Sequence, residues 1–80
     1  MEKRFTSKES NTWLRERMKK LGITSLNELS ELTNIDRGSI SRYFNQDREP
    51  SIHVIEPLCK ALKVTPNELL IVLGAKAIDS

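Results

Sequence analysis

The spacing of apolar residues divides the chain into short amphipathic segments that capping residues separate. In the first segment, over roughly 10–21, Leu14, Met18 and Leu21 recur at intervals of four and three residues. That spacing places them on one face of a helix. Gly22 follows at the position where a left-handed C-cap is expected. The pattern therefore predicts a first helix that ends at Leu21.

The second segment begins with a capping-box pattern. Ser25 can accept a hydrogen bond from the third amide of the helix, and Glu28 can reach back to the start. Three leucines then follow at threefold spacing: Leu26, Leu29 and Leu32. Because Thr33 and Asn34 are poor helix residues that often form caps, we expect the second helix over about 26–33.

Asp36 predicts the start of a third helix only a few residues later. Its side chain is a favoured N-cap, while Ile35 and Ile40 have the spacing of a hydrophobic staple. Glu49 precedes a proline, which disfavours the helical conformation there. We expect the third helix over about 37–45.

Two further helices are predicted towards the C-terminus. Ser51 can cap the fourth, in which Pro57 should cause either a bend or a loose first turn. The fifth starts at Thr65, with proline at the first helical position and Glu68 at the third, and Gly74 closes it. No strand pattern occurs over a useful length. The predicted fold class is therefore all-α, a compact bundle of five short helices.

The composition indicates one small domain. The 80 residues are 38% hydrophobic and 30% charged, which is typical of folded, water-soluble chains. No apolar run approaches the roughly 20 residues that span a bilayer. The first residues carry charge without the apolar stretch of a secretory signal. We therefore expect a cytoplasmic protein with no membrane partner.

Residues that could perform chemistry are sparse. Cys59 and His53 are the only cysteine and histidine, so neither an internal disulfide nor a Cys/His metal cluster is possible. Cys59 falls on an apolar helix face, as a core residue does. His53 falls on a polar face without a nucleophile or carboxylate partner. With no other catalytic set in the sequence, we expect no enzymatic activity and no cofactor.

The distribution of charge says more than the net charge of +2. Residues 1–20 hold seven basic and three acidic residues, whereas residues 21–50 hold three arginines and five acids. A basic segment attracts anions. We predict a basic N-terminal arm (1–9), a helix-turn-helix domain (10–74, with the motif itself at about 25–45) and a C-terminal tail (75–80).

The second and third helices are separated by only three residues. That is helix-turn-helix geometry, in which the second helix can lie in the major groove of DNA. At about 100° per residue, a face without carboxylates or large apolar groups emerges on helix 3: Arg37, Gly38, Ser41, Arg42 and Asn45. An arginine fork can bond O6 and N7 of guanine, and a glycine lets the backbone approach closely. A solvated helix exterior is the alternative, but the short turn, the bare glycine and the lack of acids favour DNA binding.

Three stretches of the chain resemble the Cro/CI-type (XRE-like, lambda-repressor-like) helix-turn-helix family of phage and bacterial repressors. They are LRERMKKLGI (14–23), NELSELTNIDRGSISR (27–42) and PSIHVIEPLCKALKVTPNELL (50–70). The resemblance implies a five-helix bundle that binds operator DNA as a two-fold dimer. By position it also implies base-reading roles for Arg37, Gly38, Ser41 and Arg42.

The resemblance further implies phosphate contacts at Asn45 and in the loop that follows it. The partly positive N-terminus of helix 2 also attracts phosphate. Leu26 stands where the family often has a phosphate-gripping glutamine, so Leu26 is assigned no contact, and Thr24, Ser25 or Asn27 could replace it. The predicted phosphate-contacting residues are Ser25, Asn27, Ser39, Asn45, Gln46 and Arg48.

Two other departures from the family pattern concern packing. Met18 and Phe44 occupy positions where many members pair an arginine with a glutamate, and replacing both partners by apolar groups can be neutral. We expect Met18 to pack on Phe44. Gln46 stands where the family usually has a glycine, so we expect a different turn after helix 3.

A five-residue apolar run lies at the end of the fifth helix. Because five consecutive residues cannot all point inward on a helix, part of the run should be exposed. We predict a dimer interface formed by Leu70, Ile71, Val72 and Leu73. Two alternatives remain open: the tail folds over the run, or the run binds a foreign protein.

The sequence thus predicts a transcriptional regulator that binds double-stranded DNA sequence-specifically and acts as a repressor. Two copies would read an inverted repeat through helix 3, with half-sites about 10 bp apart. We expect a bacterial or phage-encoded, nucleoid-associated protein without a small-molecule ligand. The alternative is a protein-interaction module of the same fold, such as an antitoxin or a partner adaptor.

Overall fold

Five α-helices form the fold of the computed structural model, which describes residues 2–78. They are α1 (Ser7–Leu21), α2 (Leu26–Thr33), α3 (Arg37–Phe44), α4 (Ile52–Leu62) and α5 (Pro66–Val72). No strand occurs in this described part of the chain. The all-α fold class is confirmed.

Helix α1 begins at Ser7, three residues before the predicted start. Thr6 and Glu9 form a complete capping box: the Thr6 hydroxyl accepts from the Glu9 amide at 3.1 Å, and the Glu9 carboxylate accepts from the Thr6 amide at 2.9 Å. Hydrogen bonding to the Glu9 carboxyl by the Thr6 backbone amide, and then by the Thr6 side chain, holds the pKa of that carboxyl below its usual value. The prediction of an arm over residues 1–9 was therefore wrong for its last three residues. The apolar periodicity alone did not reveal this capped first turn.

The segment before α1 lies against the body of the protein. Phe5 is half-buried against the core, and the Lys3 carbonyl accepts a hydrogen bond from the Ile78 amide at 2.8 Å. Ala77 is also buried. The tail therefore packs back onto the domain as far as Ile78, while Met1, Asp79 and Ser80 lie outside the described residues.

The predicted caps hold with two differences. The Ser25 hydroxyl caps α2 by accepting from the Glu28 amide at 3.1 Å, but the Glu28 carboxylate accepts from Thr24 instead of Ser25. Ser51 makes no side-chain cap bond. The first turn of α4 is closed instead by a bond from the Val54 amide to the Ser51 carbonyl, and the helix continues through Pro57.

All five helices contribute to the core, in which α3 packs on α1 and α2 while α4 packs on α1, α2 and α5. Its fully buried apolar side chains come from four helices: Leu29, Ile40, Phe44, Leu58, Leu62 and Leu69. Helix α1 adds Leu14 and Met18, and the Trp13 ring stacks on the Phe44 ring with centroids 6.4 Å apart. Met18 and Phe44 share this core, and their direct contact stays a prediction. Burial of one face of α3 leaves its opposite face outside.

Burial also corrects the predicted dimer interface. Val72 and Leu73 are only 3% and 4% exposed and belong to the core of the monomer. Together with Leu69 they follow the i, i+3, i+4 spacing of an inward face. Leu70 and Ile71 are half-buried. Of the four predicted residues, only these two offer surface to a partner.

Candidate nucleic-acid interface

The turn between α2 and α3 is held by side-chain hydrogen bonds. Asn34 ends α2 in the left-handed region with φ 58°. The Ser30 hydroxyl donates to the Ile35 carbonyl at 2.6 Å, and the Ile35 amide donates to the Thr33 hydroxyl at 3.3 Å. Ile35 itself is buried. These contacts set the angle between the two helices of the motif.

Asp36 caps the recognition helix α3 at its N-terminus. Its Oδ2 accepts a hydrogen bond from the Ser39 amide at 3.2 Å. Ile40, Tyr43 and Phe44 form the buried face of α3. Tyr43 is buried with only 5% of its surface exposed. The helix is therefore anchored at its start by a cap and along one side by apolar packing.

The outer face of α3 carries the four residues that the sequence assigned to base reading. Arg37 and Arg42 are exposed, whereas Gly38 and Ser41 are partly exposed. A Cβ atom at Gly38 would lie 3.0 Å from Asp36 Oδ2 and 3.9 Å from Arg42 Nη1. The Arg42 guanidinium thus lies beside the bare glycine, and a larger residue there would crowd both the cap and the arginine.

Asn11 of α1 supports the C-terminal end of α3, and the sequence analysis did not identify it. Its Nδ2 lies 2.8 Å from Asn45 Oδ1 and 3.1 Å from the Phe44 carbonyl. Asn45 Nδ2 in turn donates to the Ser41 hydroxyl at 3.2 Å. Because Asn11 is 33 residues from Phe44 in the chain, no local pattern could have revealed this contact. The Asn45 amide is thereby oriented beside Ser41 on the outer face of α3.

The structure brings Arg48 to the recognition helix. Although Arg48 lies in the loop after α3, its Nη1 is 3.5 Å from the hydroxyl of Ser39. Three arginines therefore border one surface: Arg37, Arg42 and Arg48. Two of the predicted phosphate contacts, Ser39 and Arg48, are neighbours there.

Gln46 does not fit its predicted role as a phosphate contact. Its side-chain amide donates to the Phe5 carbonyl at 2.8 Å and to the Ser10 hydroxyl at 3.1 Å. Its backbone amide donates to the Tyr43 carbonyl at 3.1 Å. Since every N–H of the residue is already paired, none remains for a phosphate oxygen. The side chain of Gln46 is exposed, but its amide is engaged by the segment before α1 and by α1 itself, which favours a structural role over a phosphate contact.

The N-terminal end of α2 offers a second group of donors. Ser25 and Asn27 are exposed, while Leu26 is half-buried against the core. The Thr24 hydroxyl is engaged by Glu28 Oε1 at 3.0 Å. The Thr24 backbone and hydroxyl hold the pKa of the Glu28 carboxyl below its usual value. Ser25 and Asn27 therefore suit a phosphate contact better than Thr24 does.

The remaining two reactive side chains, Cys59 and His53, lie in different surroundings. Cys59 is buried, which raises the pKa of its thiol, and His53 is exposed. No cluster of three or more metal-ligating side chains occurs among residues 2–78. Of the helices described there, none is both long and apolar enough to cross a membrane.

Helix α3 is capped, carries arginines on its outer face and follows α2 after a turn of three residues. This arrangement defines a helix-turn-helix domain. The family of Cro/C1-type helix-turn-helix DNA-binding domains matches residues 13–73. The chain belongs to this family, and the resemblance found in the sequence is confirmed. No curated protein and no solved structure matches the chain significantly. Membership indicates a DNA-binding regulator and a class of proteins that is typically non-enzymatic.

Proposed function

We propose that the protein is a transcriptional repressor that reads a specific sequence in double-stranded DNA with the outer face of α3. The observation that carries this proposal is the group of Arg37, Arg42 and Arg48 around a helix face that has no carboxylate of its own. Helix α3 would enter the major groove, with α2 lying across the DNA backbone.

Base reading is assigned to the outer face of α3. Arg37 and Arg42 supply forked donors that match the O6 and N7 acceptors of guanine. Gly38 keeps the helix backbone close to the groove and leaves room for the Arg42 guanidinium. Ser41 presents a small hydroxyl without steric hindrance.

Phosphate binding is assigned to both ends of the motif. Ser25 and Asn27 lie at the N-terminus of α2, where the helix dipole favours an anion. Ser39, Asn45 and Arg48 lie beside α3 and its following loop. These contacts would set the register of α3 on the duplex and would not discriminate between sequences.

Two copies of the chain would bind an inverted repeat. The half-buried Leu70 and Ile71 are the part of the apolar run that remains available to a second copy. A two-fold dimer of this kind places two recognition helices about one DNA turn apart. The exchange Ile71→Asp should abolish dimer formation in sedimentation experiments and weaken operator binding, whereas an unchanged sedimentation coefficient would remove α5 from the interface.

The function is tested by in vitro selection from random 30-base-pair duplexes at near-physiological salt. A two-fold symmetric motif supports the dimeric repressor, and its half-site spacing measures the dimer. A single half-site keeps the DNA-binding function and refutes the dimer. If no sequence is enriched and weak binding fades with salt, only non-specific phosphate attraction remains, and the protein-interaction alternative takes its place.

Arginine variants test the assignment of roles on the selected duplex. Arg42→Ala should lose about tenfold or more in affinity and accept other bases at one position, as loss of a bidentate contact does. Arg48→Ala should weaken binding to all sequences alike and lower the salt dependence by about one phosphate contact. Arg15→Ala, an exposed position on α1, removes the same charge as a control. Unchanged base preference in Arg42→Ala would refute the base-reading role.

A further inference from the structure

The residue after the recognition helix has an unusual backbone conformation for its type. Gln46 lies in the left-handed region with φ 63°, which favours glycine. The Asp47 amide donates to the Arg42 carbonyl at 2.8 Å and closes the end of α3 around this residue. A glutamine held in this conformation indicates that its side chain makes contacts a glycine would lack.

Those contacts join three other parts of the chain. The Gln46 amide donates to the carbonyl of Phe5, ahead of α1, and to the hydroxyl of Ser10 in α1. Ser10 is completely buried and donates to the Val72 carbonyl at the end of α5. One side chain thus ties the end of α3 to the start of α1 and, through Ser10, to α5.

Gly74 provides the space for this arrangement. A Cβ atom there would overlap the end of the Gln46 side chain at Nε2 and Cδ and would lie 3.0 Å from the Phe5 carbonyl oxygen. A methyl group at this position would therefore push the glutamine amide out of its place. Gly74 also has φ 76°. Gly22 has nearly the same φ of 74°, but nothing lies within 4 Å of its Cβ position. The close approach to the glutamine therefore distinguishes Gly74 from Gly22.

We propose that Gln46 is a positioning residue that fixes the C-terminal end of α3 and the loop bearing Arg48 against α1 and α5, with Gly74 as the site that receives it. This role rests on the proposed function, since it serves DNA reading by α3. The anchored loop follows α3 directly and carries the arginine that reaches Ser39. A shift of the loop would therefore displace both Arg48 and the end of the recognition helix.

The test compares variants for binding to the selected operator and to a scrambled duplex. Gln46→Met keeps the length of the side chain and the presence of a Cβ atom at a left-handed backbone position, but removes both N–H donors of the amide. Gly74→Ala fills the receiving site, and Gly22→Ala adds the same backbone strain without the contact. Binding is measured where circular dichroism shows each variant to be folded.

We expect Gln46→Met and Gly74→Ala each to lower operator affinity roughly fivefold or more, as members of one coupled network do. Affinity for the scrambled duplex should fall by less than this, and by no more than in Arg48→Ala, because only the displaced phosphate contact of Arg48 acts on that duplex. Gly22→Ala should change neither affinity by more than about twofold. In a Gln46→Gly background, Gly74→Ala should cost less operator affinity than in the wild type, since the glutamine has gone.

Three results would overturn the positioning role. These are unchanged operator affinity in Gln46→Met, an equal loss on both duplexes (which indicates a direct phosphate contact), and full additivity of Gln46→Gly and Gly74→Ala. If Gly74→Ala does not fold, Gln46→Met alone decides. If the wild-type chain selects no duplex, the proposed function is refuted instead. The thermal midpoints of Gln46→Gly, Gly74→Ala and the double variant then show whether the two residues are coupled.

Discussion

Removal of the Asp36 carboxylate should separate the stability of the recognition helix from its electrostatics. Asp36 is exposed, and its Oδ2 accepts from the Ser39 amide at 3.2 Å. Helix α3 has only eight residues, so one lost cap affects a large part of it. Asp36→Ala removes both the acceptor and the charge, whereas Asp36→Asn keeps an acceptor oxygen and removes only the charge.

The expected magnitudes follow from these two differences. Loss of an N-cap acceptor costs about 1 kcal/mol, which lowers the thermal midpoint of a domain of this size by roughly 4–8 °C. Asp36→Asn should lose only the interaction of the charge with the helix dipole, about 0.3 kcal/mol for an exposed charge in salt, which is clearly less than the loss in Asp36→Ala. Both variants should bind every duplex somewhat more tightly, by roughly twofold at low salt, because a negative charge near the phosphates is gone.

Thermal unfolding followed by circular dichroism, and fluorescence anisotropy on labelled duplexes, measure the two effects. Asp47→Asn removes an exposed charge from the loop after α3 without removing a cap, so its thermal midpoint should match the wild type. If Asp36→Asn is as unstable as Asp36→Ala, the hydrogen bond to Ser39 is not what stabilises the helix. If neither variant changes the midpoint, the cap argument fails altogether.

Two further predictions concern stability. The pKa of the Glu28 carboxyl is lowered in the folded state from its ordinary 4.5, so the stability that its ionised form contributes is present above that pH and is lost as the pH falls through the lowered value. Glu28→Gln should therefore weaken the loss of unfolding free energy at acid pH in a series of urea-unfolding measurements. A pH dependence as steep as that of the Glu31→Gln control would contradict this. The Arg17 guanidinium donates to the carbonyls of Leu62 and Lys63 at 2.9 and 2.7 Å. Arg17→Lys, which lacks the forked donors of the guanidinium, should lose about 1–2 kcal/mol of unfolding free energy. Wild-type stability of this variant would show that the guanidinium does not hold the end of α4.

Local signals in the sequence were sufficient to place the elements of the fold. Caps and glycines act within a few residues, so they located α2 through α5 to within a residue or two and predicted the turn at Asn34 to Asp36. Periodicity likewise placed the arginines on the outer face of α3, because its inner face is apolar. Apolar spacing did not predict the start of α1, because its first turn is polar and is defined instead by the capping box of Thr6 and Glu9.

Contacts between distant parts of the chain decided the rest. The sequence did not show which residues of the apolar run at the end of α5 are exposed. Packing of α5 against α1 and α4 places Leu69, Val72 and Leu73 in the core. The hydrogen bonds of the Gln46 side-chain amide depend on partners that lie 36 and 41 residues away in the chain. A sequence pattern records which side chains can form hydrogen bonds, but the donors and acceptors that meet are determined by how the helices pack. The sequence by itself thus determined the helices and the composition of the outer face of α3, and the tertiary structure determined which residues hold that face in place.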